Sequence, residues 1–502
     1  MKILKVVLFI VVILVNSSFS QNTSKSEVLA SIKKATEFFS TKVSNRGGYV
    51  WTVSEDFSRQ YGEIPARKSQ IWVQNGTPLV GMALLDVFDI TKDKFYLEIT
   101  KKAADTLVSG QLPLGGWHYM IDFEPKGVQD WYKNQASKFK WGMEEQRFFK
   151  NNATFDDGNT ANATRFLLRI YLTTKEKKYR KSLTKALDFI VKAQYPNGAF
   201  PQRFPLKYDF IHDGFPDYTS YYTLNDGATK TNIEVLVEAY EKLGQKKYLD
   251  SAIKAVNFLI AAQGPPDQGC WAEQYDPKTM KPVTARTHEP AGFVVRESEQ
   301  VIEVLESFYK MTGDKKYLRP IPNCLNWFYR LNKEAIELKR PAARYYELGS
   351  NLPIYVIRTN ETYEGGYGKY LWSNTQAQGN MQGLSNFGNQ IPQVREVVNI
   401  DPIRKEYERL NLLDAKKARL EYEKSRGWFH FQNSDSKVVL NIIKTMDKRG
   451  AWVTDCRVLK LDAAEKNGLN SGDFEMIKGY STGVFVRNLL ALAGYIKGDS
   501  GL

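Results

Sequence analysis

The sequence predicts an all-α fold, an α/α toroid built from repeated helix pairs, and three observations carry that expectation. A Tyr recurs with a Gln fifteen residues later, at Tyr96 and Gln111, Tyr179 and Gln194, and Tyr248 and Gln263. Each Gln is followed by a Pro/Gly turn and an aromatic: Trp117, Phe200 or Trp271. Between Tyr and Gln, apolar residues such as Leu183, Ala186, Leu187, Ile190 and Val191 fall at helical spacing on one face. Upstream of the Tyr lies a second segment, "ATRFLLRIYL" or "TNIEVLVEAY", apolar around much of its circumference, which marks a helix buried on several sides. Self-similarity of this kind is the signature of repeat architectures. Alternating inner and outer helices describe a ring whose loops converge on one end; a right-handed superhelical solenoid of helix pairs fits the same repeats.

Taken in order, the chain opens with "MKILKVVLFIVVILVNSSFS", a Lys-bearing start, an apolar run from Val6 to Val15 and a small-residue exit. These residues, 1–20, read as a secretory signal peptide, too short in their apolar run for a membrane span. No later stretch is apolar enough to span, so a soluble, monomeric protein, secreted or periplasmic, is expected. "VSNRGGYVW" at 43–51 is an early half-copy of the Gly-aromatic turn, and three full helix pairs follow. A degraded fourth copy, "DKKYLRPIPNCLNWFYRLN", has Asn332 in the Gln position. The Gly/Asn/Tyr-rich stretch from Thr359 to Gln390 predicts a long loop, of a length that usually serves function. Beyond it "LDAKKARLEYEKSR" and "SKVVLNIIKTMDKRGAWVTD" predict helices, and "YSTGVFVRNLLALAGYI" a last inner helix. The organisation predicted is a catalytic toroid over 21–365 and a C-terminal helical extension over 366–502 packed on the same domain.

Composition sets limits on function. With 42% hydrophobic and 13% aromatic residues the chain can bury a sizeable core. A formal charge of +14 points to an anionic partner. The export signal argues against nucleic acid, and the Lys are spread over amphipathic helices instead of a basic tail. An acidic polysaccharide satisfies both charge and address. Of Cys270, Cys324 and Cys456 at most one pair can bridge, and buried thiols acting as small hydrophobes are the favoured reading. His118, His212, His288 and His430 show neither metal spacing nor a Ser or Cys partner.

The chemistry concentrates at "TFDDGNTANATRFLLRIY" and "TLNDGATKTNIEVLVEAY". Asp157 lies twenty-two residues before Tyr179 and Asp226 twenty-two before Tyr248, with Asp156 and Asn225 preceding them. A lone Asp at a helix start is normally an N-cap worth about 1 kcal/mol. Two at equivalent positions of neighbouring inner helices meet at one mouth of the ring, where close carboxylates repel unless a cation sits between them. A hard cation such as Ca²⁺ is the usual solution. Arg286, Arg344 and Arg358 stand where helix pairs hand over to loops, and Arg grips carboxylates bidentately.

Several motifs in order, "DDGNT", "PQRFP", "YYTLNDGATKTN", "CWAEQYDPKTMKPVTARTHEP" and "RYYELGSNLPIYVIR", resemble the pectate lyases of polysaccharide lyase family ten over roughly residues 30–365. The resemblance implies an α/α toroid and Ca²⁺-assisted β-elimination of polygalacturonate. By position it implies Asp156 and Asp226 as acids of the Ca²⁺ and substrate site, Arg358 and Asp156 as catalytic, and Arg286 and Arg344 as holders of uronate carboxylates. Asp157, where the family has Asn, and Trp271, in a family-like motif, are expected to touch substrate, Trp271 by stacking on a sugar ring. Two other readings remain: a glycoside hydrolase on the same toroid with Asp157 and Asp226 as acid and base, and a non-catalytic protein that binds acidic polysaccharide.

Overall fold

The computed structural model describes residues 24–127, 152–206, 218–286, 288–339, 343–362, 368–374, 397–425, 434–460 and 474–499. The predicted signal peptide, His212 and His430 lie outside the described residues. The first full helix pair is α2 (Thr77–Thr91) and α3 (Lys94–Ser109), entered from the outer helix α1 (Lys25–Phe38). The next pairs are α4 (Asn159–Thr174) with α5 (Lys177–Ala193), and α6 (Ala228–Leu243) with α7 (Lys246–Ala261). Then come α8 (Val295–Thr312), α9 (Ile321–Glu337), α10 (Ile400–Leu412), α11 (Ala415–Ser425), α12 (Ser436–Thr445) and α13 (Thr482–Asp499). Helices α2, α4, α6 and α8 neighbour one another in series, and α13 packs on both α1 and α2, so the last helix joins the first pair.

The repeat residues explain why the pairs close. Gln111 Nε2 donates to the Gly115 carbonyl of its own turn at 2.6 Å and to Ser182 O of the next outer helix, α5, at 3.0 Å. Gln194 does the same to Gly198 O and to Ser251 O of α7, both at 2.9 Å, and Gln263 reaches Pro320 O at the start of α9 at 2.7 Å. In the degraded copy Asn332 Nδ2 donates to Val398 O at 2.8 Å. The turn glycines are equally positional. Gly47, Gly115, Gly198 and Gly450 have φ of +88°, +118°, +100° and +96°. A Cβ on them would fall 2.7, 2.3, 2.1 and 2.6 Å from the carbonyl oxygens of Lys102, Lys185, Lys254 and Lys34. Each turn thus seats on the next outer helix, and the turn after α12 seats on α1. That circuit runs through the two ends of the chain, which a solenoid cannot do.

The aromatic after each turn belongs to this frame. Trp117, Trp271 and Trp452 donate Nε1 to Leu107, Leu259 and Ile442 carbonyls at 2.8, 2.7 and 2.8 Å, satisfying acceptors near the C-terminal ends of α3, α7 and α12. Trp271 is 0% exposed. Its expected role as a sugar platform is therefore corrected: it is a core residue.

Short strands precede the inner helices. Gln70–Trp72 pairs with Met120–Asp122, Ala153–Thr154 with Arg203–Phe204, and Tyr222–Thr223 with Gln274–Tyr275. Two larger sheets stand on the same end. Val453–Leu459 and Phe474–Ser481 form an antiparallel ladder that continues into Thr52–Ser54, and Pro353–Thr362 and Gly368–Ser373 form another beside Tyr345–Tyr346 and Phe293–Val294. These ladders correct two expectations. The stretch from Thr359 begins inside a strand, and the helix predicted through "SKVVLNIIKTMDKRGAWVTD" ends at Thr445. The strand from Val453 alternates buried Cys456 and Val458 with exposed Asp455 and Arg457, the two-residue period of a half-buried strand. Cys270 and Cys324 form a disulfide that ties the third Gly-aromatic turn to α9, correcting the thiol reading for that pair; Cys456 is a buried thiol.

Candidate active site

Each site loop leaves a short strand and turns into an inner helix through a left-handed residue. Asp157 has φ 49° and ψ 27°, Asp226 φ 50° and ψ 28°, and each is followed by a left-handed Gly158 or Gly227. The N-caps of α4 and α6 are these glycines, with no side-chain capping bond. The expected capping role of the two Asp is thus corrected. Asp is one of the few L-residues that tolerates this backbone. A left-handed residue followed by Gly occurs once more, before α2, where Asn75 has φ 48°, although Gly76 itself is not left-handed. The positions just before the left-handed residue are then Gln74, Asp156 and Asn225.

The turns carrying Asp156–Asp157 and Asp226 pack against one another. Asp156 is half-buried and accepts from the Tyr119 hydroxyl at Oδ2, while the buried Oδ1 has no hydrogen-bond partner among the described residues. Burial, followed by the charges of Asp226 and Asp157, holds its carboxyl well above the usual range against the pull of Tyr119 and Arg286. Asp157 is pushed up to about 6, by burial first and then by Asp226; Gln74, Arg296 and Arg286 restrain it. Gln74 Nε2 donates to Asp157 Oδ2 and Asn225 Nδ2 donates to Glu289 Oε1 at 3.0 Å. With their NH₂ groups fixed on carboxylates, Gln74 Oε1 and Asn225 Oδ1 are left as buried acceptors without a donor among the described residues.

The basic side is more committed than the sequence suggests. Arg286 turns its fork onto Glu289, donating from Nε at 2.9 Å and also from Nη2, and lies over the Tyr218 ring. Burial works against the Glu289 charge, but Arg286 wins and holds the carboxyl down at about 2. Arg344 donates to Glu273 Oε1, with Nε at 3.0 Å, and Tyr345 Oη donates to Glu273 Oε2 at 2.8 Å. Burial pushes the Glu273 carboxyl up and Arg344 pulls it back. Arg296, the second residue of α8, donates from Nη2 to Asp226 Oδ1 at 3.0 Å. Arg358 pairs with Tyr370 across its ladder; its side chain lies outside the described residues. His118 is half-buried, and desolvation of its ring, then Arg203, drive its pKa well below the usual imidazole value, leaving it a neutral turn residue.

Three carboxylates therefore meet beside arginines at the N-terminal ends of inner helices, whose dipoles favour anions. The donor set is made of oxygens, carboxylate and amide, several without donors, which is the chemistry a hard cation accepts. Among the described residues no three Asp, Glu, His or Cys side chains form a closed metal cluster, so ligands beyond Asp156 and Asp226 would come from amide oxygens, water or substrate. Sequence reasoning missed Gln74, Tyr119, Arg296, Glu273 and Glu289. Placing "QNG" at 74–76 beside "DDG" and "NDG" would have found Gln74; the others reach the site across the fold.

Residues 125–228 and 216–269 match the family model described as pectic acid lyase, a stretch that includes Asp156, Asp157 and Asp226. The fold and this match define a polysaccharide-degrading enzyme of lyase-like type. Among solved structures, the chain is similar to a mutant family 10 polysaccharide lyase from Cellvibrio cellulosa in complex with trigalacturonic acid, at 20% identity over 54% of this chain and 85% of that one, with a TM-score of 0.37. It is similar to a family 76 glycoside hydrolase (mannosidase) from Bacteroides thetaiotaomicron at 11% identity over 95% and 99% of the two chains, TM-score 0.44. It is also similar to an unsaturated glucuronyl hydrolase specific for heparin, at 12% identity over 95% and 98%, TM-score 0.41. No curated protein matches the chain.

Proposed function

We propose that the protein is a secreted or periplasmic pectate lyase that cleaves polygalacturonate by Ca²⁺-assisted β-elimination. The observation that carries this reading is the meeting of Asp156, Asp157 and Asp226 at one mouth, with acceptor oxygens left over, inside the stretch matched by the pectic acid lyase model. In a 4-linked uronate the C5–H bond breaks to a base, its electron pair forms the C4–C5 double bond, and the C4–O bond breaks with the oxygen leaving. The obstacle is the weak acidity of the C5 proton. Asp156 and Asp226 would hold Ca²⁺, which when bound supplies positive charge against the uronate carboxylate. Arg286 and Arg344, oriented by Glu289 and Glu273, add cationic charge at the same mouth, stabilising the enolate-like charge that develops there. Arg358 takes the role of base in this reading. A guanidinium stays protonated near neutral pH, so that role requires a strongly positive, desolvated surrounding and an alkaline optimum.

The test is incubation of the purified protein with polygalacturonate at mildly alkaline pH, with CaCl₂ or EDTA, following the ultraviolet absorbance of the unsaturated uronyl product. A rise that EDTA abolishes is expected; absence of a rise on both de-esterified and methylated pectin sinks the lyase reading, and a rise that survives Arg358→Ala sinks that residue as base. The packing of the two Asp-bearing turns favours a second reading: Asp157 and Asp226 stand at one mouth as a hydrolase acid and base would, with the Asp157 carboxyl pushed up by burial and Asp226. Saturated products insensitive to chelator would establish hydrolysis instead.

A further inference from the structure

We infer that Arg296 is a further substrate-binding residue of this site, held by Asp226 until a cation takes that carboxylate and releases the guanidinium to a uronate carboxylate. The inference rests on the lyase reading above. Among the described side chains, Arg286, Arg344 and Arg296 stand at the mouth, and the first two have their forks on buried carboxylates. Arg286 and Arg344 turn their forks onto Glu289 and Glu273, carboxylates 2% and 3% exposed, and their own side chains are 20% and 34% exposed. Arg296 is 48% exposed and its partner Asp226 26%, so this ion pair alone among the three stands at the opening.

The partners of Arg296 are also those that a ligand would rearrange. Its Nη2 sits on Asp226 Oδ1 at 3.0 Å, and its Nε lies 3.6 Å from Glu297 Oε1. Arg344 faces it as a like charge, and the charge of Arg296 itself reaches Asp157. A divalent cation at Asp226 competes for the oxygen that Arg296 holds and repels the guanidinium at close range. Once displaced, the guanidinium is a planar, exposed cation beside a bound cation, suited to a carboxylate on the same sugar chain. Glu297 remains beside it as a tether, so the side chain has a second partner and is not lost to solvent. Binding of cation and of uronate are thereby coupled through one side chain, and such coupling is reciprocal.

The experiment measures binding, with no turnover required. CaCl₂ alone is titrated by calorimetry into wild type, Arg296→Gln, Arg296→Lys and Asp226→Asn, and trigalacturonate is then titrated at saturating CaCl₂. Arg296→Gln is expected to bind Ca²⁺ about three- to tenfold more tightly, since the competing charge is gone. It is expected to bind trigalacturonate about ten- to a hundredfold more weakly, the worth of a charge-assisted contact. Arg296→Lys keeps the charge and should fall between wild type and Arg296→Gln in both. Unchanged or weaker Ca²⁺ affinity in Arg296→Gln, or unchanged trigalacturonate affinity, overturns the inference. Asp226→Asn separates the two claims: if it loses Ca²⁺ while Arg296→Gln behaves as wild type, the exchange alone fails. If Asp226→Asn keeps wild-type affinity, or wild type binds no Ca²⁺, the cation assignment fails and the exchange with it.

Discussion

Breaking the Cys270–Cys324 bridge should destabilise the protein by a calculable amount. The two cysteines are separated by 54 residues, a span that contains α8 and the loop bearing Arg286 and Glu289. Cross-linking a loop of that size removes about 14 cal/mol/K of chain entropy from the unfolded state, or about 4 kcal/mol at 25 °C; strain and residual structure commonly reduce the measured value to between about 2 and 4 kcal/mol. Both cysteines are buried, so Cys→Ala replacement adds a small packing loss to the chain-entropy effect. Comparing oxidised with reduced wild-type protein in urea unfolding isolates the cross-link, and the double variant Cys270→Ala/Cys324→Ala, unaffected by reductant, is the control. Reduced wild type should unfold at lower urea with ΔΔG in that range. Oxidised and reduced protein unfolding within about 0.5 kcal/mol of one another would refute the reasoning. The bridge also bears on the site: Cys270 adjoins Trp271, whose N–H donates to Ser298 Oγ at 3.0 Å, and lies three residues before Glu273, the partner of Arg344. Reduction should therefore weaken trigalacturonate binding as well.

Further outcomes follow from single residues. Glu306 on α8 is largely buried with Oε1 lacking a partner among the described residues, and burial, then Glu406, push its carboxyl up to about 7 from 4.5. Because the folded value is raised, its contribution to stability is fully present below about 4.5 and is lost as pH rises through about 7, a change of roughly 3 kcal/mol. Glu306→Gln should thus match wild type at pH 4 and be more stable by up to about that amount at pH 8 in urea unfolding; equal pH dependence of the two proteins would contradict the burial argument. Gly198→Ala places a Cβ 2.1 Å from Lys254 O at φ +100°, so it should cost at least about 2 kcal/mol, read as a lowered Tm. Glu289→Ala leaves Arg286 beside a lost counter-charge in a buried setting and should cost about 3 kcal/mol, with Glu289→Gln milder because Asn225 and Arg286 keep a hydrogen-bonding neighbour; equal losses in thermal melts would show that charge, not packing or hydrogen bonding, is what Glu289 supplies.

What the sequence by itself determined was the helix-pair repeat and the position of its acids; closure into a ring was decided by the packing of α13 on α1 and α2 and of the Gly450 turn on α1. The Tyr-to-Gln spacing is legible because it is a local requirement: a helix of fixed length must end where one amide reaches its own turn and the next outer helix, as Gln111, Gln194 and Gln263 do. The register of Asp157 with Asp226 is legible for the same reason, since each occupies the first of two left-handed positions in matching turns. Tertiary structure alone decided what those carboxylates face. Arg296 follows Asp226 by seventy residues, Tyr119 precedes Asp156 by thirty-seven and Glu273 pairs with Arg344 seventy-one residues on, distances across which periodicity carries no information. It also decided the fate of Trp271, because a Gly-aromatic motif reads alike whether the ring faces the cleft or caps the carbonyl of Leu259. Burial and partner choice are properties of packed neighbours, and the charges of the site are set there.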